Sequence, residues 1–478
     1  MPETLYTAEE ASKRLGISHR KLTYLIRRDL IEPVTQEGAL FFTAAEIERY
    51  LSLPTSQRSA GQQSYLKSLG PGLITGASDD DPSGIGTYST VGAAYGLTFS
   101  WLSLYLLPMM VAVQETSARI GIVTGRGLAG AISQRHGRRV LYPLVLLLLA
   151  ANTFNVGADI AAMAASLQLL VPINFYVAAI GMTVLMLCLE IVFSYCRYAR
   201  VLKWLTVSLF AYAITSFIVR ADWVAIARSL VIPHIQLNTA FIAALVAVMG
   251  TTISPYLFFW QSSEEVEERR AKGARLPEHH RIAMRDEIKD MRVDTWTGMS
   301  VSQAVMLFII VTTATVLFRN GITTINSAQE AAAVLRPLAG RFAALLFTAG
   351  IVGTGLLAVP VMAGSSAYAL AELLGWNEGL SLRYSKARGF YGIIIASMLV
   401  GFGITLLGVN PIRALYYAAI LNGVAAPILM FFIFQIGRDA RVMREFTNPR
   451  WVNIWGTIGT VLMGAAAAAL MVLTLTGR

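Results

Sequence analysis

From about residue 67 onward the chain alternates between long apolar stretches and short polar or basic connections. About eleven of the stretches approach the roughly 20 residues that a helix needs to cross a bilayer. Their cores fall at 68–94, 98–118, 140–169, 174–194, 203–219, 238–261, 294–318, 341–371, 390–407, 412–434 and 453–475. The pattern predicts an all-α membrane domain over 67–478, a polar linker at 54–66 and a separate small unit at 1–53. Two stretches are interrupted. Ser78-Asp79-Asp80-Asp81-Pro82-Ser83-Gly84 breaks the first, and Gly250-Thr251-Thr252-Ile253-Ser254-Pro255-Tyr256 breaks the sixth.

Residues 1–53 carry the mixed periods of a small polar fold. Thr7 followed by Glu10 has the spacing of a capping box and predicts a helix start. Gly16-Ile17-Ser18 reads as a turn, and His19 to Arg28 as a basic second helix. Leu30 to Phe42 reads as a hairpin turning at Gln36-Glu37-Gly38, and Thr43 opens a last helix ending near Leu53. This order resembles the MerR/excisionase-type winged helix-turn-helix, in which the second helix enters the major groove. The resemblance implies that Arg20, Lys21, Arg27 and Arg28 meet DNA phosphates. Glu9, Glu10, Asp29, Glu32, Glu37, Glu46 and Glu48 offset the basic residues, which argues against strong nonspecific binding. Docking of a protein partner is the other use of such a module.

Composition supports the membrane reading. The chain is 55% hydrophobic and only 14% charged, with mean hydropathy +0.57. A soluble protein carries about 25% charged residues. The net charge of +10 gathers in alternate connections. Arg119, Arg126, Arg135, Arg138 and Arg139 follow the second stretch, and Arg197, Arg200 and Lys203 the fourth. Arg383, Lys386 and Arg388 follow the eighth, and Arg438, Arg441, Arg444 and Arg450 the tenth. Basic connections face the cytoplasm. The rule predicts a multi-pass plasma-membrane (bacterial inner-membrane) protein with a cytoplasmic amino terminus. The charged segment from Glu264 to Asp294 is expected to be a solvated helical connector. Cys188 and Cys196, both on an apolar segment, are expected as buried thiols. There is no nucleotide-binding loop and no metal-hydrolase histidine pair, so neither an enzyme nor a resident cofactor is expected.

The two breaks carry the candidate chemistry. Each places a proline after an oxygen-bearing side chain, Asp81 or Ser254. Proline removes a backbone donor and frees upstream carbonyls. Irregular backbone at membrane depth persists only inside protein or beside a water-filled cavity. Paired broken helices in two halves of a chain point to a transporter's binding site. Carboxylates, hydroxyls and carbonyls suit a hard cation. Asp81 is the expected direct ligand, with Asp79 and Asp80 near the outer end of the unwound segment.

Gly70-Pro71-Gly72, then eight residues, then Asp81-Pro82-Ser83-Gly84 resembles the Nramp metal-transporter signature Gly-Pro-Gly followed by Asp-Pro-Gly-Asn. Gly250 to Tyr256 resembles that family's Gly-Ala-Thr-Ile-Met-Pro-His, and Ser117 to Arg126 resembles the end of its second span. The likeness covers roughly 67–475. It implies a LeuT-like fold, two inverted five-helix repeats plus an eleventh span, that carries a divalent metal ion by alternating access. Asp81 then matches the ligand aspartate and Thr251 the residue giving a carbonyl. Gly84 stands for the ligand asparagine and Ser254 for the ligand methionine. Tyr256 replaces a histidine used in proton handling, and Asp159 matches a third-span acid linked to proton movement. Ala162 replaces a glutamate, and Asn422 corresponds to a polar residue that closes over the metal.

The departures favour harder ions. Methionine sulfur selects transition metals, and its loss leaves one carboxylate, carbonyls, hydroxyls and water. Mn²⁺ or Mg²⁺ with relaxed selectivity is the expected cargo. Loss of the histidine and the glutamate weakens the case for proton coupling. Two other readings remain open at the level of sequence. One is a carrier of the same fold for a non-metal solute. The other is a membrane-bound, metal-responsive regulator that binds DNA through residues 1–53. Oligomeric state is not encoded in any of these features.

Overall fold

The computed structural model describes residues 5–18, 22, 25–26, 31, 33–36, 39–52, 70–192, 207–219, 221–271 and 281–476. The small unit comprises β1 (Leu5–Thr7), α1 (Ala8–Leu15), β2 (Val34–Gln36), β3 (Ala39–Thr43) and α2 (Ala44–Ser52). The Thr7–Glu10 capping box forms as predicted. β3 is the middle strand of an antiparallel sheet in the order β1-β3-β2, with Leu5 opposite Thr43 and Val34 opposite Phe41. β1 was not predicted: three residues give no period, and only pairing with β3 defines it. Leu22, Leu25, Phe42, Ile47 and Tyr50 form a core of this unit's own. Arg20, Lys21, Arg27, Arg28 and the linker 54–66 lie outside the described residues.

The first predicted span is two half-helices, α3 (Pro71–Asp79) and α4 (Pro82–Tyr95). It is followed by α5 (Trp101–Thr124), the short α6 (Leu128–His136), α7 (Arg138–Leu167), α8 (Phe175–Val192), α9 (Phe210–Ile218) and α10 (Trp223–Val231). The sixth span is again split, into α11 (Thr239–Thr252) and α12 (Pro255–Ala271). Then come α13 (Arg281–Val316), α14 (Ala343–Leu374), α15 (Arg388–Thr405), α16 (Pro411–Arg438) and α17 (Arg450–Thr476). Among the described residues eight helices, counting α11 and α12 together, are long and apolar enough to cross a membrane. α8 is a shorter apolar helix. Of the fifth predicted span only 207–219 is described.

Two expectations need correction. The segment 264–294 is not mainly a solvated connector: α12 and α13 extend into it, and Glu265 and Arg269 are buried. Arg269 donates to the Ile122 carbonyl at 2.6 Å and pairs with Glu287 at 3.1 Å, so the α12 extension is locked onto α5 and α13. Periodicity across a charged stretch does not reveal which charges find partners. Cys188 is exposed on α8 rather than buried, and Cys196 lies outside the described residues.

The Gly-Pro-Gly start of α3 also has a physical cause. Pro71 occupies the first turn, where its missing donor is harmless. Gly70 offers no side-chain cap, so the Gly72 amide donates to Asp294 Oδ2 of α13 at 2.7 Å. A Cβ on Gly76 would stand 2.4 Å from the Gly298 carbonyl. α3 and α13 therefore touch backbone to backbone.

Candidate cation site at the paired helix breaks

Asp81 builds the first break. It precedes Pro82, which drives it out of the helical region, and it sits extended at φ −68°, ψ 172°. Its Oδ1 accepts from the Gly84 amide and the Ser83 hydroxyl, each at 2.7 Å, and so caps α4. Its Oδ2 faces away from the cap and accepts from Tyr256 Oη at 3.2 Å and Asn155 Nδ2 at 3.3 Å. One carboxylate oxygen thus shapes the break and the other is available for chemistry.

In the second break Ile253 ends α11, and Pro255 starts α12. The Ser254 hydroxyl turns back onto the carbonyls of Gly250 and Thr251, at 2.9 and 2.8 Å. The two breaks meet side by side. Ser83 Oγ lies 3.2 Å from Thr251 Oγ1, and Tyr88 Oη lies 3.0 Å from Thr252 Oγ1. Tyr256 Oη also donates to the Ser78 carbonyl at 3.1 Å, joining α12 to the end of α3.

The structure sorts the predicted residues by role. Asp81, Thr251, Ser254 and Tyr256 converge. Gly84 contributes an amide that holds Asp81 Oδ1, and as a glycine it brings no side-chain donor. Asp79 and Asp80 turn toward α13, where Ser302 Oγ contacts Asp79 Oδ2 at 2.6 Å and Asp80 Oδ1 at 3.3 Å. Asp159 on α7 is fully buried, lies within electrostatic reach of Asp81, and makes no well-formed hydrogen bond through either oxygen. Asn422 on α16 is buried with both amide atoms unpartnered among the described residues. Its neighbour Gly423 packs against Gly250, so Asn422 lies next to the second break.

Sequence reasoning missed Asn155 and Met362. Asn155 donates through Nδ2 to Met362 Sδ on α14 at 3.1 Å as well as to Asp81. The spacing of Asn155 and Asp159, one helical turn, was a usable signal that both face the site. Met362 carried no signal among 17 methionines.

Four carboxylates, Asp79, Asp80, Asp81 and Asp159, are buried here, and none forms an ion pair among the described residues. Buried charges require partners. By contrast Glu115 on α5 is paired with Arg119 and, at 2.9 Å, with Arg292 on α13. No three carboxylate, imidazole or thiol groups converge on one point among the described residues. A cation at Asp81 Oδ2 would therefore complete its shell with carbonyls, hydroxyls and other neutral donors.

A cavity of about 430 Å³, lined in part by Gln168, Tyr176, Asn326 and Asn410, opens on the side opposite the basic connections. It borders a neck of about 10 Å³ lined by Ile85, Ser89, Ala162 and Leu415. Such a neck has room for about one water. It runs along α4 at Ile85 and Ser89 and past Ala162 and Ser166 of α7.

Two broken helices meeting around buried carboxylates, within a helical membrane domain, define a secondary-transporter architecture. Residues 72–473 match the natural resistance-associated macrophage protein-like (Nramp) family, and the chain belongs to that family. Residues 5–52 match a helix-turn-helix domain. The chain is 25% identical over 432 residues to the divalent metal cation transporter MntH of Caldanaerobacter subterraneus subsp. tengcongensis, covering 87% of this chain and 94% of the relative. It is likewise 25% identical over 449 residues to MntH of Klebsiella pneumoniae (strain 342), covering 88% and 98%. Among solved structures, the Eremococcus coleocola manganese transporter superposes with TM-score 0.67 at 18% identity, covering 84% of this chain and 85% of that one. MhsT, solved with L-phenylalanine, superposes with TM-score 0.52 at 12% identity, covering 85% and 98%. The membrane domain has the LeuT-like fold that the family resemblance implied.

Proposed function

We propose that the chain carries a divalent metal cation across the membrane by alternating access, with Mn²⁺ or Mg²⁺ as cargo and relaxed selectivity. The observation that carries this reading is Asp81 Oδ2, a buried carboxylate oxygen set between two abutting helix breaks with no cationic partner. Thr251 and Ser254 bring carbonyl and hydroxyl oxygens into the second break, where the Thr251 hydroxyl meets Ser83, the partner of Asp81 Oδ1. The names of the relatives, a divalent metal cation transporter and a manganese transporter, support the cargo class. Ala162 and Tyr256 stand where the family signature uses proton-handling groups, so metal movement is not tied to those groups here. The amino-terminal module lies on the cytoplasmic side, a reading supported by the Lys/Arg bias of alternate connections.

Asp81→Asn tests the reading cleanly. Asparagine caps a helix about as well as aspartate, so the variant keeps the break and loses the charge. Uptake of Mn²⁺, Mg²⁺, Fe²⁺ and Ca²⁺ into proteoliposomes is expected in the wild type for more than one ion. It should fall to background in the variant with thermal unfolding unchanged. Wild-type rates in Asp81→Asn would remove Asp81 from the site. Fe²⁺ uptake indifferent to excess Mg²⁺ would overturn relaxed selectivity.

A further inference from the structure

Gly84 and Ser254 stand where the family signature has an asparagine amide and a methionine sulfur. Both chemistries are nevertheless present at Asp81, supplied from elsewhere. Asn155 of α7 and Met362 of α14 are fully buried, and a single amide links the carboxylate to the sulfur: Nδ2 lies 3.3 Å from Asp81 Oδ2 and 3.1 Å from Met362 Sδ. Asn155 Oδ1 is buried with no partner among the described residues. Behind Asn155, Asn152 is held by the Met362 carbonyl at 3.2 Å and by the hydroxyls of Ser365 and Ser366 at 2.8 and 2.9 Å. These bonds fix α7 against the Met362 turn of α14.

A nitrogen–hydrogen donor on Asp81 Oδ2 occupies the direction a cation takes. Amide orientation is interchangeable by a half turn about the terminal bond. With a cation on Oδ2, that half turn presents Asn155 Oδ1 as an oxygen ligand and satisfies its unpartnered lone pairs. It also releases Met362 Sδ from its hydrogen bond. A thioether has three rotatable bonds behind it and can swing into a metal's shell. Soft sulfur does little for Mg²⁺ and favours later transition-metal ions.

We infer that Asn155 Oδ1 and Met362 Sδ complete the cation shell on Asp81, and that Met362 shifts an otherwise hard site toward Mn²⁺ and Cd²⁺ relative to Mg²⁺. The inference rests on the carrier reading and names its selectivity determinant. Its two donors lie on helices other than the broken pair, so they join the ion when the two sets of helices close on it.

The test compares full-length wild type and Met362→Leu by calorimetric titration with Cd²⁺, Mn²⁺ and Mg²⁺, alongside proteoliposome uptake. Leucine keeps the volume and removes the sulfur. Affinity for Cd²⁺ and Mn²⁺ should fall about tenfold, with Mg²⁺ affinity changed by less than about twofold because Mg²⁺ takes oxygen ligands. Asn155→Ala should weaken all three ions, by about tenfold or more. Cadmium X-ray absorption on the wild type should show one sulfur neighbour, which needs no variant to fold. A wild-type cadmium shell with oxygen alone, or a Cd²⁺-to-Mg²⁺ ratio unmoved in Met362→Leu, overturns the inference and leaves the carrier reading standing. A wild type that binds no divalent cation overturns both.

Discussion

At the scale of single residues, Asp81 divides its work between two oxygens. Oδ1 closes the first turn of α4 through Ser83 and Gly84, and Oδ2 faces the second break. This division makes charge alone insufficient. Asp81→Glu keeps the negative charge but moves the carboxylate one methylene further out, away from the cap. Loss of an N-cap costs about 1 kcal/mol, so the variant should show both lower thermal stability and strongly reduced uptake, whereas Asp81→Asn loses uptake alone. Equal uptake by Asp81→Glu and wild type would mean that the cap does not position the ligand. Asp81 was legible because an aspartate before proline in an apolar run has few structural uses. The resemblance located Gly84 and Ser254 along the chain, while their hydrogen bonds become visible only in the fold. Motif correspondence gives positions, while the direction of a hydroxyl or an amide is set by neighbours. Ser254 spends its proton on two carbonyls of its own break, which only the folded geometry reveals.

At the scale of elements, the hydrophobic pattern marked the spans well, and it marked the breaks because proline and adjacent polar residues are punctuation. Backbone-to-backbone crossings were not marked, since a glycine that permits close approach looks like any other. α11 and α16 cross in this way. A Cβ on Gly250 would lie 2.2 Å from the Gly423 amide nitrogen, and one on Gly423 would lie 2.3 Å from the Val246 carbonyl. Rigid backbone cannot yield as a side chain can. Gly423→Ala should therefore force α16 off the second break, with an overpacking penalty of about 1–3 kcal/mol, a lower unfolding temperature and reduced uptake. Gly403→Ala on α15 is the control, because a Cβ there meets nothing within 4 Å. Alanine is the better helix former by about 0.8–1.0 kcal/mol, so that variant should be neutral or slightly stabilised. Similar unfolding temperatures for the two variants would show that the α11–α16 crossing is not tight.

At the scale of the whole molecule, the polar contacts separate into those within a group of helices and those between groups. Asp294–Gly72, Glu115–Arg292 and Arg269–Ile122 tie α3, α5, α12 and α13 to one another. Asn152 with Met362, and Thr348 with the Ser166 carbonyl, tie α7 to α14. Glu267 crosses between the groups. From α12 it accepts from Tyr368 of α14, from the Leu380 amide at 2.7 Å and from the Ser381 amide at 3.1 Å. This contact lies on the side of the basic connections, opposite the cavity at Asn326 and Asn410. Groups held together internally in this way move as bodies, so Glu267 is placed to latch that side shut while the other side is open to an ion. Charged hydrogen bonds contribute about 1.5–3 kcal/mol each. Glu267→Ala should then favour the conformation open toward the basic connections. Hydrogen exchange should quicken at residues 376–382, and a cysteine probe near Asp81 should become accessible from that side, while Arg292 and Glu115 stay protected. Exchange that quickens equally in both helix groups would indicate general loosening and would refute a latch between two bodies.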